Sequence, residues 1–358
     1  MARPTRRIGN LPAETSSFIG RRRELAEVRA KISAAHLVTL TGPGGVGKTR
    51  LALRCAAGLV RSCRDGGWLA ELAEVRDPGL VPSVILAGLD LRDQAAEPRA
   101  LLLSYLRNRE LLLVLDNCEH LVEDVARMVT DILRTAPGVR VIATSREPLS
   151  MPGEHVVPVP PLGVAGPDAA GELAAPQGSE AVTLFAERAA AASGTFELTP
   201  ANQAAVASLC RRLDGLPLAI ELAAVRTRVR TAEQILDRMT DRFALLADGY
   251  RVGVPRHQTL RTTIEWTYDL LSDDEAAMLR WCCAFAGRFT LADAESVCGP
   301  AGTPPIQALN LLSSLVSKSL VMREDAYGIG CYRRWYWITR ANTEGCLLLD
   351  EFLAADGG

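Results

Sequence analysis

The chain has 358 residues, 48% of them hydrophobic, and a formal net charge of −2. That length allows two or three domains with full cores, and the near-neutral charge excludes a global field for nucleic acid or an anionic membrane. No apolar run approaches the ~20 residues a membrane helix needs, no apolar stretch follows the Arg-rich N-terminus, and the nine cysteines are scattered without a C-x-x-C pair. The expectation is a cytoplasmic chain with free thiols and no membrane association.

Residues 1–17 read as a polar leader, and 21–34 carry a short helical pattern with Leu25, Val28 and Ile32 on one face. His36–Thr41 is a β-rich run that meets glycines, and a helix over roughly 47–60 follows. Trp68–Leu72, Leu111–Leu115 and Val139–Thr144 read as further strands, separated by helical stretches at about 79–88, 96–107 and 120–135. Strands alternating with helices imply an α/β domain built on a parallel sheet, and unbroken apolar strands suit a sheet buried on both faces. Pro158–Ser179 shifts to Pro, Gly and Ala and reads as a linker. Beyond it, helical patterns fill 179–193, 200–225, 231–247, 257–271 and a group over 273–318, with Leu320–Arg323 as a closing strand. The expected division is a leader at 1–17, a nucleotide-binding domain at 18–165, an all-α domain at 178–250, a third domain at 255–325 and a divergent tail at 326–358.

Gly42-Pro43-Gly44-Gly45-Val46-Gly47-Lys48-Thr49 matches G-x-x-x-x-G-K-[ST], the P-loop. Glycines let several backbone N–H groups converge on one point, and the helix that follows adds its positive end. Lys48 supplies a mobile charge for the β- and γ-phosphates, the Thr49 hydroxyl is a ligand for Mg²⁺, and Arg50 extends the motif. The implied cofactors are ATP or ADP with Mg²⁺. Asp116 ends an apolar strand in the manner of a Walker B carboxylate, the second expected Mg²⁺ residue. Glu119 has two readings, a base for water or a first-turn helix charge favoured by the dipole. Arg146, just past the strand Val139–Thr144, is placed to sense a γ-phosphate.

In order, these segments resemble the NB-ARC type of STAND P-loop ATPases: Phe18-Ile19-Gly20-Arg21, then TGPGGVGKTRLA, LLLVLDNCEHL, VIATSREPL, and Gly215-Leu216-Pro217-Leu218-Ala219. The likeness covers roughly residues 14–325 and is greatest to the ATPase core of large actinobacterial regulators of the LuxR or antibiotic-regulator type. The resemblance implies that Ile19 and Arg21 frame the adenine, that Pro217 packs on base or sugar, that Arg146 is a sensor, and that 255–325 is a winged helix. It further implies a switch held by ADP and changed by ATP, with slow hydrolysis and a protein partner or self-association. Two features depart from it: Asn117 stands where many relatives carry a second acid, and no Met-His-Asp triplet follows the winged-helix segment. The helix Ile306–Ser319 is mostly apolar with one basic residue, which favours an intramolecular role over DNA reading. The competing readings are a DNA-binding repressor with structural ATP, a metabolic P-loop enzyme, and a truncated chain that no longer switches.

Overall fold

The computed structural model describes residues 9–91, 97–164, 179–237, 271–282, 285, 288–297, 305–318, 320–326 and 329–334. The 238–247 part of the helix expected over 231–247, nearly all of the helix expected over 257–271 and most of the 158–179 linker lie outside them.

The chain divides into two compact units, the first of residues 1–42 and 47–160, the second of residues 43–46 and 161–358. The first unit is a five-stranded sheet in the order β2-β3-β4-β1-β5, with β1 Leu37–Thr41, β2 Gly67–Glu71, β3 Leu112–Asp116, β4 Arg140–Ser145 and β5 Glu154–Pro158. Every pairing is parallel. The crossovers are helical: α1 Arg22–Ala34 precedes β1, α2 Lys48–Leu59 follows it, α3 Val81–Gly88 and α4 Pro98–Leu106 lead to β3, and α5 Val122–Thr135 leads to β4. β1, β3 and all but the first residue of β4 are buried throughout. Side chains alternate along a strand, so Leu113, Leu115, Val141 and Ala143 share one core with Ile85, Leu102, Leu106, Val125, Val129 and Ile132 of α3–α5. The spacing of Val125, Met128, Val129 and Ile132 is one helical stripe, which fixes the face that α5 buries. α1 and α2 pack together and contact strands of the same sheet.

One strand of this sheet was not legible in the sequence. β5 reads EHVVP, too polar for a strand signal, yet it extends the sheet beyond β1. At the opposite edge the N-terminal segment covers β2: Gly9 pairs with Gly67, and Asn10 donates to the Leu69 and Gly88 carbonyls while accepting from Leu69 N–H. A side chain at position 9 would put Cβ 2.0 Å from the Gly67 carbonyl oxygen, so this approach requires glycine.

In the second unit α6 Glu180–Ser193, α7 Gln203–Arg212, α8 Pro217–Val225 and α9 Ala232–Asp237 form a helical group. Within the span 200–225, where Gly215 and Pro217 interrupt the helical pattern of the sequence, the helix stops before Asp214 and Gly215, both at positive φ, and a new one starts with Pro217 in the first turn of α8. Further on come helix Asp273–Cys282, strand β6 Arg288–Phe289, helices Leu291–Val297 and Pro305–Ser317, and strands β7 Val321–Ala326 and β8 Ile329–Arg334. β8 lies between β6 and β7, antiparallel to both. The Tyr332 ring stacks on Phe289 at 6.0 Å, so the expected tail from 326 begins inside this sheet.

Candidate phosphate and metal site

β1 delivers the chain into the P-loop, and α2 starts at Lys48 with Gly47 as its N-cap. Gly42, Gly45 and Gly47 have φ of 150°, 78° and 97°, conformations that side chains rarely take. Lys48 is buried and its Nζ donates to the Gly42 carbonyl at 2.7 Å. Burial is the main cause that brings its pKa down to about 8, opposed by Glu119 and Asp116 and assisted by Arg146. An anion at this place would restore the charged form.

β3 ends on Asp116, and two hydroxyls meet its Oδ1: Thr49 Oγ1 from α2 at 2.7 Å and Thr144 Oγ1 from β4 at 2.6 Å. The sheet order explains this, since β4 lies between β1 and β3 and its C-terminal end falls between loop and carboxylate. Burial pushes the Asp116 pKa up, while the hydrogen bonds from Thr144 and Thr49 oppose it. A hard cation prefers oxygen donors of this kind, and Thr49 and Asp116 are the pair that would bind Mg²⁺. Thr144 also accepts from Asn117 N–H at 3.0 Å, which fixes the turn where Asn117 takes φ of 63°. The only signal that Thr144 gives in the sequence is that of a polar residue towards the end of an otherwise apolar strand.

Arg146 follows β4, Glu119 follows β3, and the two side chains form a buried ion pair with Nε donating to Oε1 at 3.1 Å. Burial lowers the Arg146 pKa, countered by Glu119. Lys48, Asp116, Glu119 and Arg146 are therefore brought together, each with at most 7% of its surface exposed.

Arg50 points to the N-terminal segment, where it donates to the Ser16 hydroxyl at 2.7 Å and to the Ser16 and Ser17 carbonyls. Arg21 is buried, has φ of 61° as the N-cap of α1, and pairs with Glu24 at 3.2 Å. Ile19 is half-buried beside it in the chain. Within the second unit, Pro217 opens α8, and the next amide, Leu218 N–H, donates to the Gly45 carbonyl at 3.2 Å. A Cβ at Gly45 would stand 2.9 Å from Leu218 Cβ, so the glycine serves both conformation and space there. Gly44 and Val46 complete the loop, Val46 N–H donating to the Pro43 carbonyl at 3.3 Å.

A sequence profile of the family described as novel STAND NTPase 1 matches residues 11–285. A protein of Mycobacterium tuberculosis named as an HTH-type transcriptional regulator is 40% identical over 307 residues, 86% of this chain and 33% of the relative. An uncharacterized protein of the same organism is 36% identical over 323 residues, 90% of this chain and 79% of the relative. The regulatory protein AfsR of Streptomyces griseus is 28% identical over 364 residues, 95% of this chain and 33% of the relative. The chain thus spans about a third of the length of the curated regulators it matches. Among solved structures, the Walker-type ATPase PABY2304 of Pyrococcus abyssi aligns at a TM-score of 0.54 and 14% identity, covering 91% of this chain and 96% of that one. That likeness concerns the fold, and with the parallel sheet it makes the first unit a P-loop NTPase fold. With its profile matched over most of its length, the chain belongs to the novel STAND NTPase 1 family.

Proposed function

We propose that this chain is the nucleotide switch of a signalling or transcriptional regulator, binding ADP or ATP with Mg²⁺ and hydrolysing ATP slowly. One observation carries the reading: the Thr49 hydroxyl from the loop–helix junction and the Asp116 carboxylate from a separate strand meet at 2.7 Å, beside a buried Lys48. A P-loop that served only as a glycine turn needs no such convergence. Lys48 would neutralise β- and γ-phosphate oxygens, and Thr49 and Asp116 would hold Mg²⁺, which shields the developing charge of phosphoryl transfer. Arg146 would read the γ-phosphate through a charge-assisted hydrogen bond.

The rest of the reading follows the NB-ARC likeness. Ile19 and Arg21 would frame the adenine and Pro217 would touch base or sugar. Helix, strand, two helices and a hairpin over 273–334, their three strands forming one antiparallel sheet, support a winged-helix reading of that segment. Exchange of ADP for ATP would then bias a two-state arrangement that a protein partner or a second copy reads out.

The test is the nucleotide that co-purifies with the chain, released by denaturation and identified by chromatography, with Lys48→Ala as control. Stoichiometric ADP in the wild type, absent from the variant, is the expected result. A wild-type chain that is empty and also ignores added Mg-ATP would overturn the switch.

A further inference from the structure

The four buried charges around the P-loop are not satisfied alike. Asp116 Oδ1 receives two hydroxyls, and Lys48 has the Gly42 carbonyl. Glu119 is held at one oxygen only: Oε1 accepts from Arg146, while Oε2 is buried with no hydrogen-bond partner. The two side chains are 3% and 4% exposed, so water does not screen the pair. Leaving a buried carboxylate oxygen short of a donor is unfavourable, and buried ion pairs contribute little net stability. Fold stability therefore does not explain why the pair is built this way.

Its position offers an explanation. Glu119 stands three residues beyond Asp116, and Arg146 two beyond Thr144, whose hydroxyl binds Asp116. The pair thus stands at the ends of β3 and β4, beside the Asp116 carboxylate, with one attractive and one repulsive charge for an incoming anion. A diphosphate leaves the pair intact. A triphosphate brings a further anionic group for which Arg146 is the cation, and Glu119 already holds it.

We propose that Glu119 is a specificity residue that sets the preference between nucleoside di- and triphosphate by competing with the terminal phosphate for Arg146. The proposal rests on the reading of Gly42–Thr49 as a nucleotide site. Glu119 acts here through Arg146, as a positioning group, and the hydrogen bond to Nε is the contact that must loosen when a triphosphate binds.

Calorimetric titration of ADP and of a non-hydrolysable ATP analogue, both with Mg²⁺, tests this on the wild type, Glu119→Gln and Arg146→Gln, with circular dichroism as the check of folding. Glu119→Gln is expected to shift the ratio of the two dissociation constants at least tenfold towards the triphosphate while ADP stays within threefold. Arg146→Gln is expected to weaken the triphosphate at least tenfold and ADP little. In the double variant Glu119→Gln/Arg146→Gln the ratio should lie within threefold of Arg146→Gln, because the acid acts through the arginine. That neutral pair also serves if Glu119→Gln alone fails to fold: a ratio well away from that of Arg146→Gln overturns the competition. A Glu119→Gln ratio equal to the wild type, or equal weakening of both nucleotides, reduces the pair to structure and overturns the proposal alone. A wild-type chain that binds neither nucleotide overturns the nucleotide reading itself, and the proposal with it.

Discussion

Thr49 and Thr144 donate to the same oxygen of Asp116, at 2.7 and 2.6 Å, but their surroundings differ. Thr144 is fully buried and its hydroxyl also accepts from Asn117 N–H, whereas Thr49 is half-buried and sits at the start of α2. Thr144→Val leaves a buried carboxylate one donor short and takes the acceptor from the half-buried Asn117 amide, a loss of about 1–3 kcal/mol on the ordinary cost of unsatisfied groups. Thr49→Ala removes one donor near solvent and should cost under about 1 kcal/mol, while abolishing any Mg²⁺ dependence of nucleotide affinity. Urea unfolding of both variants, with nucleotide titrations at zero and millimolar Mg²⁺, checks the pair. Equal destabilisation by both would mean that Thr49 has a structural role only. At this scale the sequence was informative where a motif names residue types. Gly42–Thr49 and Asp116 were readable because strand, glycine loop and apolar strand have fixed places in such a sheet. Thr144 and the Glu119–Arg146 pairing were not, since both depend on which strands become neighbours.

Element by element, apolar runs announced themselves as strands, the edge strand β2 among them, and polar or very short strands did not. β1, β3 and β4 are apolar runs, while β5 lies at the sheet edge, carries Glu154 and His155, and ends on Pro158, a residue that donates no ladder hydrogen bond. β6 has only two residues and β8 reads IGCYRR, so neither shows a period against helical neighbours. The span 200–225 holds two helices, the first ending at Arg212 ahead of the turn at Asp214 and Gly215 and the second starting at Pro217. The C-terminal helices are tied by one acid. Ser272 and Glu275 form a reciprocal cap, and Glu275 also accepts from Ser314 at 2.5 Å and Lys318 at 2.8 Å. Burial raises the Glu275 pKa, but the hydrogen bonds of Lys318, Ser314 and Ser272 N–H and the Lys318 charge outweigh it and hold the carboxyl below its usual 4.5. A depressed acid gives stability that is present above the unfolded value and lost as pH falls through the folded one. Glu275→Gln should therefore cost about 1–3 kcal/mol at pH 7, with the gap to wild type closing as pH falls below the carboxyl's usual 4.5 and through its lower folded value. Urea titrations at several pH values measure that gap. A gap that is the same at acid and neutral pH would assign the loss to packing instead of charge.

For the whole molecule, ligand linkage and surface charge give separate expectations. If Lys48, Thr49 and Asp116 bind Mg-nucleotide, ligand at a hundred times its dissociation constant adds about 2.7 kcal/mol to folding. That corresponds to a rise in melting temperature of roughly 5–11 °C for a unit of 150–250 residues, at about 2–4 °C per kcal/mol, and Lys48→Ala should abolish it. Contact with DNA is expected to be absent for this chain alone. A reading helix presents basic or amide side chains to the groove, and phosphate contacts need Lys or Arg. On helix Pro305–Ser317 the exposed residues are Ile306, Gln307, Leu309, Asn310, Ser313 and Ser317, and the next residue, Lys318, is paired with Glu275. Two amides among apolar and small side chains, on a chain of net charge −2, make a weak electrostatic footprint. Relatives named as HTH-type regulators are about three times as long as the matched region, so the part that gives them that name need not lie in what they share with this chain. Fluorescence anisotropy with duplex DNA at 50 and 200 mM salt should show no saturable binding at micromolar protein, with or without Mg-ATP. Saturable binding that weakens a hundredfold or more between those salt concentrations would signal several phosphate contacts. It would make the C-terminal segment a DNA reader, and the nucleotide site would then serve a repressor.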